Sequence, residues 1–267
     1  MKTKSYFIYF FSSFLMSCHL VDAQVIWLST RNMDFSNCDS EERSLKPFNA
    51  IANTCPFDVI YEQSREQYVI VEGDEEVFDR LHTDVRHGVL EISMDRARYR
   101  NVRLRVRVGC PDITELNMSG SGAIECLSDI VTDGELTLRV SGSGDLNIRH
   151  AKCRSLETSV AGSGDLRAEH LEAQDIEVSV AGSGDWSAKD VIADNLKVSL
   201  AGSGDIDIDN AVVDSKLTAN VAGSGDVKVS GKANDVEAKL IGSGDISGRL
   251  TYNSISRTKS GSGDIDW

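Results

Sequence analysis

The sequence predicts an all-β protein: a right-handed, single-stranded parallel β-helix, or β-solenoid, preceded by a less regular N-terminal β region. The first observation is a Gly-Ser-Gly motif that occurs eight times between residues 120 and 263, at intervals of 19–22 residues. Seven copies continue with Asp, and the first continues with Ala123. The second observation is that apolar residues alternate with polar ones on both sides of each motif. Self-similarity at such a period is typical of solenoids.

Each repeat is predicted to contain two short strands around its Gly-Ser-Gly turn. Before the turn, the apolar residues recur at every second position, for example Ile176, Val178 and Val180. This period of two indicates a strand with one buried face. After the turn, Leu166 or Trp186 begins a second strand in the same phase. Twenty residues cannot bury this face alone, so we expect stacked repeats with a right-handed coil.

The repeats are predicted to span residues 119–267, with a cap at their C-terminal end. In the last repeat the inward positions are Ile255, Arg257 and Lys259. Charge in the inward phase is a device that blocks further strand addition. We therefore expect a cap in which Trp267 closes the core.

The N-terminal β region, residues 45–118, is expected to be continuous with the solenoid, as outer coils or a capping sheet. Its alternating segments predict strands at residues 57–62, 68–72, 89–94, 102–108 and 113–118, and residues 75–83 are predicted to form a short helix. Residues 24–44 are predicted to be an irregular linker.

Residues 1–23 are predicted to be a signal peptide, because a short basic start precedes a mostly apolar run. Two endings stay open. Val21-Asp22-Ala23 fits a secretory cleavage site, whereas Leu15-Met16-Ser17-Cys18 fits a lipobox that would leave a lipid anchor at Cys18. We expect an exported protein of a Gram-negative bacterium, periplasmic, on the outer-membrane surface or secreted. No later stretch is long enough to predict a transmembrane segment.

The net charge of −14 argues against nucleic acid as a partner, because phosphate contacts require clusters of Lys and Arg. Export permits disulfides. Cleavage at either site leaves an odd number of cysteines for pairing, and Cys38 and Cys55 are the predicted bridge. The pairing of the others stays open; the full set is Cys38, Cys55, Cys110, Cys126 and Cys153.

The aspartates of the repeats are the candidate site: Asp145, Asp165, Asp185, Asp205, Asp226, Asp245 and Asp264. In register they would lie ~5 Å apart. Calcium would relieve their repulsion, so a weak calcium ladder is one hypothesis. We favour a structural role in the turn, because each corner supplies one carboxylate rather than a cage of oxygens. No other cofactor is predicted.

A catalytic hypothesis rests on Asp207 and Asp209, which face outward on one strand at a separation of ~7 Å. That distance fits an inverting carboxylate pair. However, repeats this short leave no room for the loops that wall a catalytic cleft. His150 and His170 share a repeat position and could stack, but no histidine spacing indicates a metal site. We therefore expect no enzyme and name no catalytic residue.

The chain resembles the "putative auto-transporter adhesin, head GIN domain" family of exported bacterial proteins over roughly residues 45–267. The resemblance lies in the Ser/Ala-Gly-Ser-Gly-Asp series and in four N-terminal segments: Phe48-Asn49-Ala50-Ile51, Phe57-Asp58-Val59-Ile60, residues 71–92 and Met118-Ser119-Gly120-Ser121-Gly122. It implies a parallel β-helix, an export signal and no known catalytic residues. The cysteine count and Ala123 depart from the family pattern.

These observations predict a non-enzymatic cell-envelope or secreted interaction protein, adhesin-like by resemblance, which uses a flat β-solenoid surface. Its partner would be a protein or a glycan at the cell surface. The alternative is a carbohydrate-active β-helix protein that binds or cleaves an acidic polysaccharide.

Overall fold

The computed structural model describes residues 34–267, which form a parallel β-solenoid of about eight turns. The predicted fold class is therefore confirmed. Successive repeats pair residue by residue, so that Leu166 lies beside Trp186 and Trp186 beside Ile206. Trp186 is 1% exposed, in agreement with its predicted inward phase. The core is a continuous stack of these aliphatic and aromatic side chains.

The N-terminal region forms the first coil and a cap below it. Its elements are β1 (Asp39–Glu42), β2 (Ala50–Asn53), β3 (Asp58–Gln63), β4 (Tyr68–Gly73), a 3-10 helix (Glu75–Arg80), β5 (Leu81–Arg86), β6 (Val89–Met94) and β7 (Leu104–Cys110). On one side, β2 and β3 pair in parallel with the next coil; on the other, they pair with β6 and β7. The antiparallel pairs β5–β6, β4–β7 and β1–β4 then cover this end.

The repeats supply the remaining strands. These are β8 (Glu115–Met118), β9 (Ala123–Cys126), β10 (Ile130–Val131), β11 (Glu135–Val140), β12 (Asp145–Lys152), β13 (Ser155–Gly162), β14 (Leu166–Gly182), β15 (Trp186–Gly202), β16 (Ile206–Gly223), β17 (Val227–Gly242), β18 (Ile246–Ser247), β19 (Leu250–Gly261) and β20 (Ile265–Asp266). From β14 to β17 one long strand runs from each turn to the next.

Each coil has three inward-facing segments rather than the two predicted. In β14 the buried residues are Leu166 and Ala168, then Leu171 and Ala173, then Ile176, Val178 and Val180. Two successive outward residues, at 169–170 and again at 174–175, reset the alternation. These positions are corners, and the Gly-Ser-Gly turn is the third. The segment between the two predicted strands of neighbouring turns, which was expected to be a looser corner, is therefore paired strand as well.

The Gly-Ser-Gly corner is built from close backbone contacts between coils. The Gly182 carbonyl accepts hydrogen bonds from the N–H groups of both Ser203 (2.9 Å) and Gly204 (3.2 Å) in the next coil. A Cβ on Gly204 would lie only 2.0 Å from the Gly184 carbonyl oxygen. The motif therefore requires glycine here for space.

The last coil is closed by its own side chains, as predicted. The Trp267 indole Nε1 donates to the Ser247 carbonyl (2.6 Å), and Arg257 donates to the Trp267 carbonyl oxygen. Lys259 turns toward Asp264, with its Nζ 2.6 Å from Oδ1. Arg257 and Lys259, the two charged residues at inward positions, thus both contact oxygen atoms at the end of the stack.

Three N-terminal expectations need correction or fall outside the described residues. The helix predicted at 75–83 ends at Arg80, because Leu81 and Thr83 are buried in β5 against β6. Part of the predicted linker 24–44 is strand β1, which pairs with β4. The predicted signal peptide and lipobox, including Cys18, lie outside the described residues.

Cys38 and Cys55 do not form the predicted disulfide. Cys55 is 1% exposed, and its N–H donates to the Asn53 side chain (2.9 Å) in the corner after β2. Cys38 precedes β1, which lies beyond β4 and β7 in the antiparallel cap. The two thiols therefore belong to different layers of the cap and core.

Candidate functional site

The repeat aspartates form a hydrogen-bonded ladder between coils. From Asp145 to Asp245, each Oδ1 accepts a hydrogen bond from the backbone N–H of the aspartate in the next repeat, at 2.7–3.2 Å. A structural role in the turn, as favoured above, would have each carboxylate cap the turn of its own coil. The acceptor instead serves the coil above, so each aspartate joins two coils.

The ladder begins before the repeats, at Asp58. Its Oδ1 accepts the N–H of Ala123 (3.0 Å), where the first repeat lacks aspartate. Because Ala123 offers no carboxylate, the N–H of Asp145 donates to the Gly122 carbonyl instead (3.1 Å). Sequence reasoning missed this role of Asp58. The available signal was that Asp58, like the repeat aspartates, directly precedes the first inward apolar residue of a strand.

The calcium hypothesis for the ladder stays a prediction. Within residues 34–267, no three His, Cys, Asp or Glu side chains are grouped in a way that would hold a metal ion. Cations of the protein itself already contact both ends of the repeat ladder. Arg167 lies 2.5 Å from Asp165, and Lys259 lies 2.6 Å from Asp264.

His150 and His170 do lie side by side at one corner. Their ring centroids are 6.2 Å apart, and the planes are nearly perpendicular at 86°. Each ring also faces a carboxylate: Asp129 at 3.4 Å from His150 and Asp190 at 2.7 Å from His170. The two histidines thus lie between two carboxylates along the stack.

Asp207 and Asp209, the residues of the catalytic hypothesis, lie on the outer side of β16. Asp207 forms an ion pair with Lys228 (3.4 Å), and Asp209 is exposed. Neither residue lines the groove described next. The trough therefore does not include this pair of carboxylates.

A trough runs along the solenoid at the corner that follows the second inward segment, which in β14 is Leu171 and Ala173. Its larger part has a volume of about 480 Å³, and a second part of about 280 Å³ adjoins it at Asp214. The walls are two outward rows: Val131, Lys152, Glu172, Ile192, Lys232 and Thr251 on one side, and Asp133, Arg154, Gln174, Asp194, Asp214, Asn234 and Asn253 on the other.

Small inward residues lie between these walls. The row contains Cys153, Ala173, Ala193, Val213 and Ala233, and Tyr252 ends it. Val131 and Ile192 are each 50% exposed, which makes part of one wall apolar. Sequence reasoning missed the trough. Two signals were present: alanine recurs at one inward position, and an isoleucine stands at an outward one.

Cys153 lines the trough but has no nucleophilic character. It is 8% exposed, and burial raises the pKa of its thiol to about 11. A thiol that stays protonated at neutral pH is a poor nucleophile. The trough therefore offers shape, apolar contact and hydrogen bonding rather than an activated group.

Glu125 is a carboxyl with a clearly raised pKa. Burial raises the pKa to about 6, although the Asn147 amide donates to the carboxylate at 2.8 Å. The charges of Asp58 and Asp145 raise it further, and Arg167 opposes them. Glu125 lies on β9, two residues after Ala123, the residue that interrupts the aspartate ladder.

The stacked coils, the ladder and the trough define the protein as a parallel β-solenoid. Residues 47–233 match the family model described as "Putative auto-transporter adhesin, head GIN domain", and the chain belongs to this family. No curated protein of assigned function matches the chain.

Solved structures support the fold. A "putative lipid binding protein" from Parabacteroides distasonis is 26% identical with a TM-score of 0.72, over 86% of this chain and 96% of the other. A "putative adhesin" from the same species is 22% identical with a TM-score of 0.77, over the same shares of the two chains. Another from Parabacteroides merdae is 20% identical with a TM-score of 0.71, again over 86% and 96%. None of these three names is that of an enzyme.

No helix within residues 34–267 is long and apolar enough to span a membrane.

Proposed function

We propose that the protein is an exported, non-enzymatic interaction module of the bacterial envelope that holds an extended partner chain in the trough. The observation that carries this proposal is the shape of the trough. It runs along the stack across the coils of β10 to β19, between two rows of outward side chains. A groove of this form accepts a linear chain better than a compact small molecule.

The chemistry of the walls fits a chain with both apolar and polar groups. Val131 and Ile192 provide apolar contacts, while Gln174, Asn234 and Asn253 offer amide groups for hydrogen bonds. Lys152 and Glu172 neutralise each other at 2.6 Å. A glycan or an extended peptide has this mixture of groups. The name of one similar structure, a "putative lipid binding protein", suggests an acyl chain instead. An acyl chain in the trough would leave these amide groups without hydrogen-bond partners.

The flat face before the Gly-Ser-Gly turn is less suited to be the binding surface. Its charges are paired within the face: Arg139 with Glu115 and Glu157, Lys197 with Glu177, and Lys216 with Glu237. Exposed pairs of this kind contribute about 0–1 kcal/mol each. The face is therefore a neutralised wall, and the trough is the better candidate.

A matched pair of double variants tests the proposal. The variant Val131→Glu/Ile192→Glu adds two charges to the apolar wall of the trough. The control Leu127→Glu/Ile241→Glu makes the same change at two other half-exposed positions, 55% and 48% exposed, which do not line the trough. Both variants should melt within a few degrees of the original protein, because all four side chains are outward.

The assay is binding of the purified protein to immobilised neutral linear polysaccharides and to extended peptides of extracellular-matrix proteins. We expect at least one of these chains to bind, the trough variant to lose at least tenfold in affinity, and the control to keep its affinity. Equal losses in the two variants, or turnover of a bound polysaccharide by the original protein, would contradict the proposal.

A further inference from the structure

The sequence between β6 and β7 concentrates positive charge in an otherwise acidic protein. Six arginines fall within twelve residues: Arg96, Arg98, Arg100, Arg103, Arg105 and Arg107. The last three are neutralised inside the N-terminal cap. Arg103 pairs with Asp74 (3.0 Å), Arg105 with Glu72 (2.6 Å), and Arg107 with Glu72 and Glu62.

The first three arginines differ in their surroundings. Arg96, Arg98 and Arg100 lie on the loop of residues 95–103, and all three are exposed. Within residues 34–267, none of them has a carboxylate partner within 4.0 Å. The carboxylate closest in sequence, Asp95, is held by His82 at 2.8 Å. The loop therefore presents three positive charges that the described part of the fold does not neutralise.

The loop is anchored to the cap and is not a loose tail. The Tyr99 ring packs edge-on against Phe57, with centroids 5.9 Å apart, and its hydroxyl donates to the Asp95 carbonyl (2.5 Å). The Asp95 N–H donates to the Arg80 carbonyl (3.0 Å), which ties the loop to the 3-10 helix. This anchor lies between Arg98 and Arg100, so the charges are held in place before any ligand arrives.

We propose that Arg96, Arg98 and Arg100 form a second binding site, for an acidic polysaccharide. Guanidinium groups bind carboxylates and sulfates in bidentate fashion. Each residue adds at most ~3.6 Å to the span of the chain, so the Cα atoms of arginines two residues apart lie within ~7 Å of each other, a spacing that suits anionic groups recurring along a chain. Charges are screened over ~8 Å at physiological salt, so the acidic faces of the solenoid weaken this local attraction only slightly.

The same observations disfavour other polyanions. Single-stranded nucleic acids bind through aromatic stacking as well as charge, and Tyr99 of this loop is already packed on Phe57. Anionic membranes are bound more tightly when apolar side chains insert. The large apolar side chains exposed in the described region, Leu127, Val131, Ile192 and Ile241, are all outside the loop.

The test compares two triple variants of equal charge change. Arg96→Gln/Arg98→Gln/Arg100→Gln removes the loop charges, and Lys189→Gln/Lys197→Gln/Lys239→Gln removes three exposed charges from parts of the solenoid outside the trough. The probes are polygalacturonate and heparin, with dextran as the neutral control. We expect the original protein to bind the two acidic polymers, more weakly as salt is raised. The arginine variant should lose at least tenfold in affinity and the lysine variant less than twofold.

Three results would overturn the proposal: no binding to either acidic polymer, equal losses in the two variants, or equally tight binding to single-stranded DNA or to phosphatidylglycerol vesicles. The trough variant Val131→Glu/Ile192→Glu should bind polygalacturonate as the original protein does. A failure of the arginine site is therefore distinguishable from a failure of the trough.

Discussion

Gly204 offers the most direct test of why the corner motif requires glycine. Replacing it by Ala would put a Cβ 2.0 Å from the Gly184 carbonyl oxygen, at least 1 Å short of the 3.0 Å that real contacts respect. The clash is with backbone, so no side chain can move to relieve it. Gly202 has a φ of +149°, whereas Gly204 is not in the left-handed region. The loss of stability on replacing Gly204 therefore reports the contact between coils and not backbone strain.

The expected loss of stability follows from the separation of coils that would relieve the clash. Overpacking of this kind costs about 1–3 kcal/mol. Separating the coils also strains the hydrogen bonds from Gly204 to Gly182 and from Asp205 to Asp185, at about 1 kcal/mol each. We therefore expect Gly204→Ala to lower the free energy of unfolding by about 3–5 kcal/mol. For a domain of this size the melting temperature should fall by on the order of 10 °C.

The assay is urea unfolding followed by circular dichroism, beside the control Ser203→Ala. Ser203 is exposed in the same turn, and its replacement should change stability by less than about 0.5 kcal/mol. A loss below 1 kcal/mol for Gly204→Ala would refute the reasoning. It would mean that adjacent coils can separate at the corner without breaking the ladder.

Three further predictions concern carboxylates. Asp185→Ala removes the acceptor of the Asp205 N–H and should cost about 1 kcal/mol, whereas Asp185→Asn keeps an Oδ1 acceptor and should be nearly neutral. If the ladder binds calcium, millimolar calcium should raise the melting temperature of the original protein but not that of Asp165→Asn/Asp185→Asn/Asp205→Asn. Because folding raises the pKa of Glu125 from 4.5 to about 6, its contribution to stability falls as pH rises through that window. Glu125→Gln should therefore gain about 1 kcal/mol above pH 6, after allowance for partial exposure, and nothing at pH 4.

The outcomes of these experiments are separable. If Asp185→Asn costs as much as Asp185→Ala, the charge matters more than the hydrogen bond. A calcium effect that persists in the triple variant would place the cation elsewhere. A gain for Glu125→Gln that is equal at pH 4 and pH 7 would show that its raised pKa is not the cause.

The solenoid was predictable because its signals are repeated. The spacing of the glycines defined the coils, and the period of two identified the inward residues. The third face was harder to predict: at 169–170 two outward residues in succession interrupt the period, which in one repeat looks like the end of a strand. Only the pairing of His170 with Asp190 and of Leu171 with Val191 shows that the strand continues.

Sites formed by side chains of two different rows of the solenoid could not be predicted from the sequence. The trough depends on the angle between the row of Ile192 and the row of Asp194, and no pattern along one chain encodes that angle. The predicted bridge between Cys38 and Cys55 was wrong for a related reason. Proximity in sequence suggested it, whereas the order of strands in the cap separates the two residues. The arginines of the loop were visible in the sequence, but their lack of partners was not.

The aspartate ladder also bears on how such a chain can change in length. Each coil receives an acceptor from the coil below and offers the same acceptor to the coil above, so the junctions from Asp145 to Asp264 are chemically interchangeable. Deleting or duplicating the twenty residues 166–185 would rejoin Asp to the first residue of a strand in the same phase. Recombination between repeats can thus yield shorter or longer solenoids with intact junctions. The trough would change in length with them, whereas the arginine loop in the cap would not.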